Sequence, residues 1–77
     1  MKVVFYSSSE KEYQMMSEKL LEEIPDALPY HIVQDGRFCF MDSDLAVVAL
    51  DGALGMETVL EYGKHYPGAR TVWVSDR

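Results

Sequence analysis

Asp51 is the residue of this chain whose type and position best suit chemistry. It directly follows residues 45–50, an uninterrupted apolar run. Such a run is typical of a strand buried on both faces, because a strand with one solvated face alternates apolar and polar residues. In an open parallel sheet, ligands and reactive groups collect outside the carboxyl ends of the strands. A carboxylate is therefore predicted at the edge of the sheet where such groups act.

Other reactive side chains have simpler explanations. Cys39 lies between two phenylalanines and is predicted to be an inert core thiol. His31 and His65 lack metal-ligand spacing, so a surface strand position and a helix end explain them. Residues 7–9 are serines but contain no Gly-x-Ser-x-Gly elbow. We therefore predict no catalytic residue and no metal site, and we do not expect an enzyme.

Composition limits the classes of partner. The 77 residues predict one domain, residues 1–77, and 13 acidic against 7 basic side chains give a formal charge of −6. This charge argues against nucleic acid and against anionic lipid as direct partners. The apolar run 45–50 is too short to cross a bilayer. A single cysteine and the lack of a signal-peptide pattern predict a cytoplasmic protein.

The first half of the chain predicts a strand, a helix and a second strand. Residues 3–6 are apolar, and Ser9 with Glu12 has the spacing of a capping box that begins a helix. Apolar residues at helical spacing then predict one buried face, formed by Tyr13, Met16, Leu20, Leu21 and Ile24. Pro25 and Pro29 are expected to end this helix, and residues 30–33 form the second strand.

The second half predicts a further helix and strand. Residues 35–43 fit either a hairpin around Asp35-Gly36 or a turn into a short helix, and we favour the short helix. After the strand 45–50, a helix is predicted with one face formed by Met56, Val59, Leu60 and Gly63. Pro67-Gly68 ends it, and residues 71–74 form a last strand. Right-handed crossovers turn this order into a doubly wound parallel α/β sheet with strand order 2-1-3-4.

On these residues the chain resembles the receiver domain of bacterial two-component response regulators, a flavodoxin-like fold. Residues 44–48 match its third strand, 51–56 the following loop, and 72–75 the fourth strand. The resemblance implies that Asp51 is the phosphoacceptor, that Ser75 contacts the phosphoryl oxygens, and that a fifth strand is missing. Residues 1–77 are then either a truncated receiver-like domain or the first part of a longer receiver. The pair Asp51-Gly52 is equally typical of an ordinary turn after a strand.

The chain also departs from the receiver pattern. Receivers carry acidic residues that hold Mg²⁺ at the end of the first strand, where this chain has Tyr6, Ser7 and Ser8. The resemblance therefore indicates an atypical, pseudo receiver with at most weak phosphoryl acceptance. No cofactor is expected, and Mg²⁺ only if the acceptor site functions.

Protein partners are the expected ligands. If the chain ends at Arg77, the last strand is an exposed edge carrying Trp73, and such edges recruit other strands. We therefore expect self-association through this strand, with Trp73 on the partner surface. The resemblance adds a histidine kinase or an output domain as partners.

A flavodoxin is the alternative. Residues 2–9 before an amphipathic helix are similar to the opening of that family, where a hydroxyl-rich loop and a helix amino end hold the FMN phosphate. Here Glu10-Lys11-Glu12 replaces the usual Gly-Asn-Thr of the loop. Its carboxylates repel phosphate, so this alternative ranks below the receiver.

Overall fold

Four strands and two helices make up the described part of the chain. The computed structural model describes residues 1–33 and 39–74, and residues 34–38 and 75–77 lie outside the described residues. The elements follow in the order β1 (Lys2–Ser7), α1 (Glu10–Glu23), β2 (Leu28–Val33), β3 (Leu45–Ala49), α2 (Gly52–His65) and β4 (Arg70–Trp73).

The strands form one parallel sheet in the order β2-β1-β3-β4. β1 lies between β2 and β3, so that Phe5 is opposite His31 on one side and Val47 on the other. Residues of α1 pack on one face of the sheet and residues of α2 on the other. The predicted doubly wound α/β sheet with strand order 2-1-3-4, of flavodoxin-like architecture, is confirmed.

The burial of β1 reflects its central position. Its residues 3–7 are almost completely inaccessible to solvent. Successive side chains of a strand point to opposite faces. Accordingly, Val3 and Phe5 join the core beneath α1, whereas Val4 and Tyr6 join the core beneath α2.

Helix α1 begins as the sequence predicts. Ser9 is its N-cap, and the Ser9 Oγ accepts a hydrogen bond from the Glu12 N–H at 3.4 Å. Four of the five predicted apolar positions pack on the core, namely Tyr13, Met16, Leu20 and Ile24. The prediction for Leu21 was wrong. It lies about 100° around the helix from Leu20 and is exposed.

Helix α2 buries a different face from the predicted one. Met56, Leu60 and Gly63 are exposed, and only Val59 of the four predicted positions packs against the core. The buried positions are instead Gly55, Thr58 and Tyr62. The Thr58 hydroxyl donates to the Leu54 carbonyl at 2.7 Å, which satisfies this polar group inside the helix and permits its burial.

Residues 39–43 form neither a helix nor a strand, so the favoured short helix is not found in this described part, and neither is the hairpin. Side chains hold the segment instead. Phe40 and Met41 pack on the core beneath α2, and the Met41 carbonyl accepts a hydrogen bond from the Tyr62 hydroxyl at 3.0 Å. The rest of the interval predicted as hairpin or short helix, residues 35–38, falls outside the described residues.

Strand β2 begins two residues earlier than predicted and contains Pro29. The proline was expected to interrupt the chain, but β2 is at the edge of the sheet. The Leu28 N–H donates to the Met1 carbonyl, so the next residue points its backbone away from β1. The missing N–H of Pro29 therefore removes no bond of the sheet.

Strand β3 was predicted to be buried on both faces, but its two faces are buried to different extents. Ala46 and Val48, which face α2, are completely buried. Leu45 and Val47, which face α1, are only half-buried. The sheet is covered on both sides, but the side that carries α1 remains partly open over β3 and β4.

Two tyrosine rings, Tyr6 and Tyr62, pack edge to face in the core beneath α2, with 5.9 Å between their centroids. The Tyr62 hydroxyl donates to the Met41 carbonyl and accepts a hydrogen bond from the Ser43 hydroxyl. The Tyr6 hydroxyl is completely buried and makes no complete hydrogen bond to a described residue, although the Met41 backbone lies beside it. Burial raises the pKa of both tyrosines. The folded state therefore favours the protonated form of both side chains. Their ionisation does not affect the free energy of unfolding below the ordinary tyrosine pKa of about 10, and it lowers that free energy as the pH rises above this value.

This difference predicts opposite effects of removing the two hydroxyls. We expect Tyr6→Phe to leave the free energy of unfolding unchanged or to raise it by up to about 1 kcal/mol, because the change breaks no complete hydrogen bond to a described residue. Tyr62→Phe should lower it by about 1–3 kcal/mol, because Ser43 and Met41 lose a buried partner. Urea denaturation at neutral pH measures both. Equal losses in the two variants would contradict the assignment.

Candidate functional site

A cleft of 240 Å³ opens at the carboxyl ends of the strands. The loop after β1, the first turns of α1 and α2, and the ends of β3 and β4 line it, through Ser8, Glu12, Ala49, Leu50, Asp51, Leu54 and Val74. This is the position at which parallel sheets bind ligands. The sequence predicted Asp51 at this edge, and the structure brings Ser8 and Glu12 into the same cleft.

Asp51 combines a turn position with a place in the cleft. It is the N-cap of α2 and exposed, but its side chain makes no capping hydrogen bond. Gly52 follows with a φ of 64°, in the left-handed region that favours glycine. The pair Asp51-Gly52 thus forms the turn that the sequence allows, and this turn presents the carboxylate to the cleft.

The charges in the cleft do not suit an anion. Glu12 faces it together with Asp51, and none of the described lining residues is basic. A phosphate entering here would meet two carboxylates and no basic side chain among the described lining residues. Among the described residues, no three His, Cys, Asp or Glu side chains are grouped so that they could hold a metal ion.

Ser75, the predicted phosphoryl contact, lies outside the described residues. The residue before it, Val74, lines the cleft, and its N–H donates to the Val48 carbonyl at 2.8 Å.

Trp73 is held firmly at the edge of the sheet. Its indole Nε1 donates to the Leu50 carbonyl at 2.6 Å, and its side chain remains 42% exposed. Gly55 of α2 makes this contact possible. A Cβ at position 55 would lie 2.7 Å from the Trp73 Nε1 and would overlap the Leu50 backbone. The predicted partner-surface residue is thus fixed in place by both β3 and α2.

The outer side of β4 pairs with no other described strand. The Arg70 N–H donates to the Asp44 carbonyl just before β3, and the Val74 N–H donates to the Val48 carbonyl of β3. The alternate residues Thr71 and Trp73 therefore point their backbone groups outward. Val72 and Val74 are 46% and 42% exposed on the face that carries α1. Between them and α1 runs an apolar groove lined by Phe5, Met16, Lys19, Leu20, Glu23, Val47 and Val74.

A second polar cluster was missed by the sequence reasoning. The His31 Nε2 lies 2.7 Å from the Ser7 Oγ, and the His31 ring stacks on Tyr13 with 4.5 Å between ring centroids. The Ser7 hydroxyl donates a hydrogen bond to the Ser9 carbonyl at 3.0 Å. Its one hydrogen is thereby used, so the His31 Nε2–H must be the donor in the bond to Ser7. Ser7 is also completely buried. The pair therefore joins β1 to β2 and does not activate a nucleophile. Only the parallel pairing of these strands reveals it.

The burial of the single thiol, that of Cys39, was also predicted wrongly. Cys39 is exposed and is not a core residue, because the segment 39–43 turns Phe40 and Met41 inward instead. Neither helix in the described part of the chain combines the length and the apolar character that crossing a membrane requires.

Comparison with known proteins gives no family. No family model matches the chain, and neither the curated proteins nor the solved structures contain a significant match to it.

The contact between α2 and Trp73 predicts a difference between two glycines of one helix. Gly55→Ala should lower the free energy of unfolding by about 1–3 kcal/mol, because its Cβ has no room. Gly63→Ala is the matched control. It meets no neighbour within 4 Å, and we expect it to raise stability by about 0.5–1 kcal/mol. Thermal unfolding of dilute protein with Trp73 fluorescence measures both, and an unchanged stability of Gly55→Ala would refute the close contact.

Proposed function

We propose that the chain is a protein-interaction module of the receiver type, whose binding surface is the outer edge of β4. The observation that carries this proposal is the exposure of three consecutive apolar residues, Val72, Trp73 and Val74, at the open edge of a parallel sheet. Open backbone groups beside exposed apolar side chains are the features that recruit a strand from another chain.

The rigidity of this edge supports the proposal. Trp73 is anchored through its indole N–H, and Val74 is bonded to β3. A partner would therefore bind a surface that is already in its final conformation, which lowers the entropic cost of association. Aromatic residues fixed in this way are frequent centres of protein interfaces.

Weak phosphoryl acceptance at Asp51 is the second element of the proposal. Asp51 is exposed in the cleft at the carboxyl ends of the strands, and Val74 lines the same cleft. Phosphorylation there would add charge within the cleft that borders the β4 surface. The Glu12 carboxylate opposes the transfer, and none of the described lining residues is basic, which is why the proposed acceptance is weak. The same repulsion disfavours the alternative of a flavodoxin-like FMN site.

Photo-crosslinking tests the interaction surface. A photoreactive amino acid is placed at Val72, at Val74, or at exposed Glu22 of α1 as the control, in cells that naturally produce the chain. We expect discrete covalent adducts with one protein, or with a second copy, from position 72 and none from position 22. The absence of adducts from both Val72 and Val74 would overturn the proposal.

Phosphoryl acceptance is tested separately. The purified chain is incubated with acetyl phosphate and Mg²⁺, and its intact mass is measured. We expect a minor fraction carrying one phosphoryl group, lost in Asp51→Asn and retained in Asp26→Asn. Complete labelling would contradict weak acceptance, and labelling that persists in Asp51→Asn would exclude Asp51 as the acceptor.

A further inference from the structure

Helix α2 carries an exposed apolar stripe that the proposed function does not use. Met56 and Leu60 are 52% and 58% exposed, although they lie one turn apart on a helix that covers the core. Gly63 lies one turn further along the same side and is also exposed. We call Met56, Leu60 and Gly63 the α2 stripe.

The α2 stripe lies on the side of the molecule that carries the β4 edge. Leu54 and His65 lie on the side of α2 nearer β1. Leu54 lines the cleft together with Ser8, and the centroids of the His65 and Phe40 rings are 4.6 Å apart. At about 100° per residue, the α2 stripe lies on the opposite side of the helix. It therefore borders the same flank of the molecule as the open edge of β4.

We infer that the partner of this flank is a second copy of the chain, with β4 pairing antiparallel to β4 and α2 packing antiparallel to α2 around one two-fold axis. This inference rests on the proposed function, because it names the occupant of the β4 edge. A two-fold axis perpendicular to the sheet at Val72 places Thr71 opposite the partner's Trp73. These are the two residues of β4 whose backbone groups point outward.

The spacing of the layers fits this arrangement. Helix α2 contacts both β3 and β4 and so lies above the boundary between them. Neighbouring strands are about 4.8 Å apart, so the two copies of α2 would lie about 10 Å apart across the axis. Packed helices are separated by 8–10 Å, so edge pairing brings the two α2 stripes into contact.

The charged residues beside the α2 stripe are placed so that two antiparallel copies of α2 would bring opposite charges together. Glu57 and Lys64 lie on the same side of α2, three residues before and four residues after Leu60. Antiparallel packing centred near Leu60 brings Glu57 of each copy next to Lys64 of the other. In a single copy, Lys64 pairs with Glu61 at 3.3 Å, and both side chains are exposed, so this pair is weak and can exchange.

Sedimentation of the purified chain over a range of concentrations tests the inference. We expect a monomer–dimer equilibrium that Leu60→Lys weakens at least tenfold. Leu21→Lys is the matched control, because Leu21 is an exposed leucine of α1, on the other face of the sheet from the proposed contact between the two α2 stripes. It should leave the dissociation constant unchanged. Circular dichroism verifies that each variant is folded.

Charge reversal tests the antiparallel register. Glu57→Lys alone and Lys64→Glu alone should each weaken the dimer, because each places like charges together, and the double variant should restore it. A double variant as weak as the single ones overturns the α2 pairing, as does a dimer that is insensitive to Leu60→Lys.

The outcomes separate this inference from the proposed function. A chain that stays monomeric but gives adducts at Val72 with a different protein overturns the dimer and leaves the interaction module intact. A monomeric chain without any adducts at β4 overturns both.

Discussion

An α-helix with its side chains is about 10 Å wide and neighbouring strands lie about 4.8 Å apart, so one helix covers two strands of a sheet. Four strands therefore present four such patches, two on each face. Helix α1 covers β1 and β2 on one face, and α2 covers β3 and β4 on the other. Phe40 and Met41 extend the layer of α2 over the part that faces Tyr6. The patch over β3 and β4 beside α1 has no described helix above it.

This shortage of cover accounts for the distribution of exposed apolar residues. Val47 is half-buried, and Val72 and Val74 are exposed, on the face that α1 leaves open. On the other face, α2 covers Trp73 only in part and exposes its own stripe beside it. The interaction module and the dimer that we propose both follow from this asymmetry, since burial of these residues would add to the stability of any complex.

The cleft illustrates why position in a fold and chemistry are separate questions. Parallel pairing brings Asp51 to the edge where ligands bind, whatever the surrounding side chains are. The neighbours decide what can happen there. Glu12 adds a second negative charge, and Tyr6 is buried in the core where the receiver pattern has an acidic residue. For these reasons our proposal gives binding the main role and phosphoryl transfer a minor one.

The sequence by itself determined the order of the four strands and of helices α1 and α2, the sheet topology, the Ser9 cap and the position of Asp51, but not the segment 39–43, where it predicted a short helix. These depend on local signals: apolar runs, capping spacing, turn residues and the handedness of crossovers. Only the tertiary structure decided which face of α2 is buried. Leu60 is more apolar than Thr58, yet Thr58 satisfies its hydroxyl within the helix, and Gly55 alone leaves room for the Leu50 backbone and the Trp73 indole.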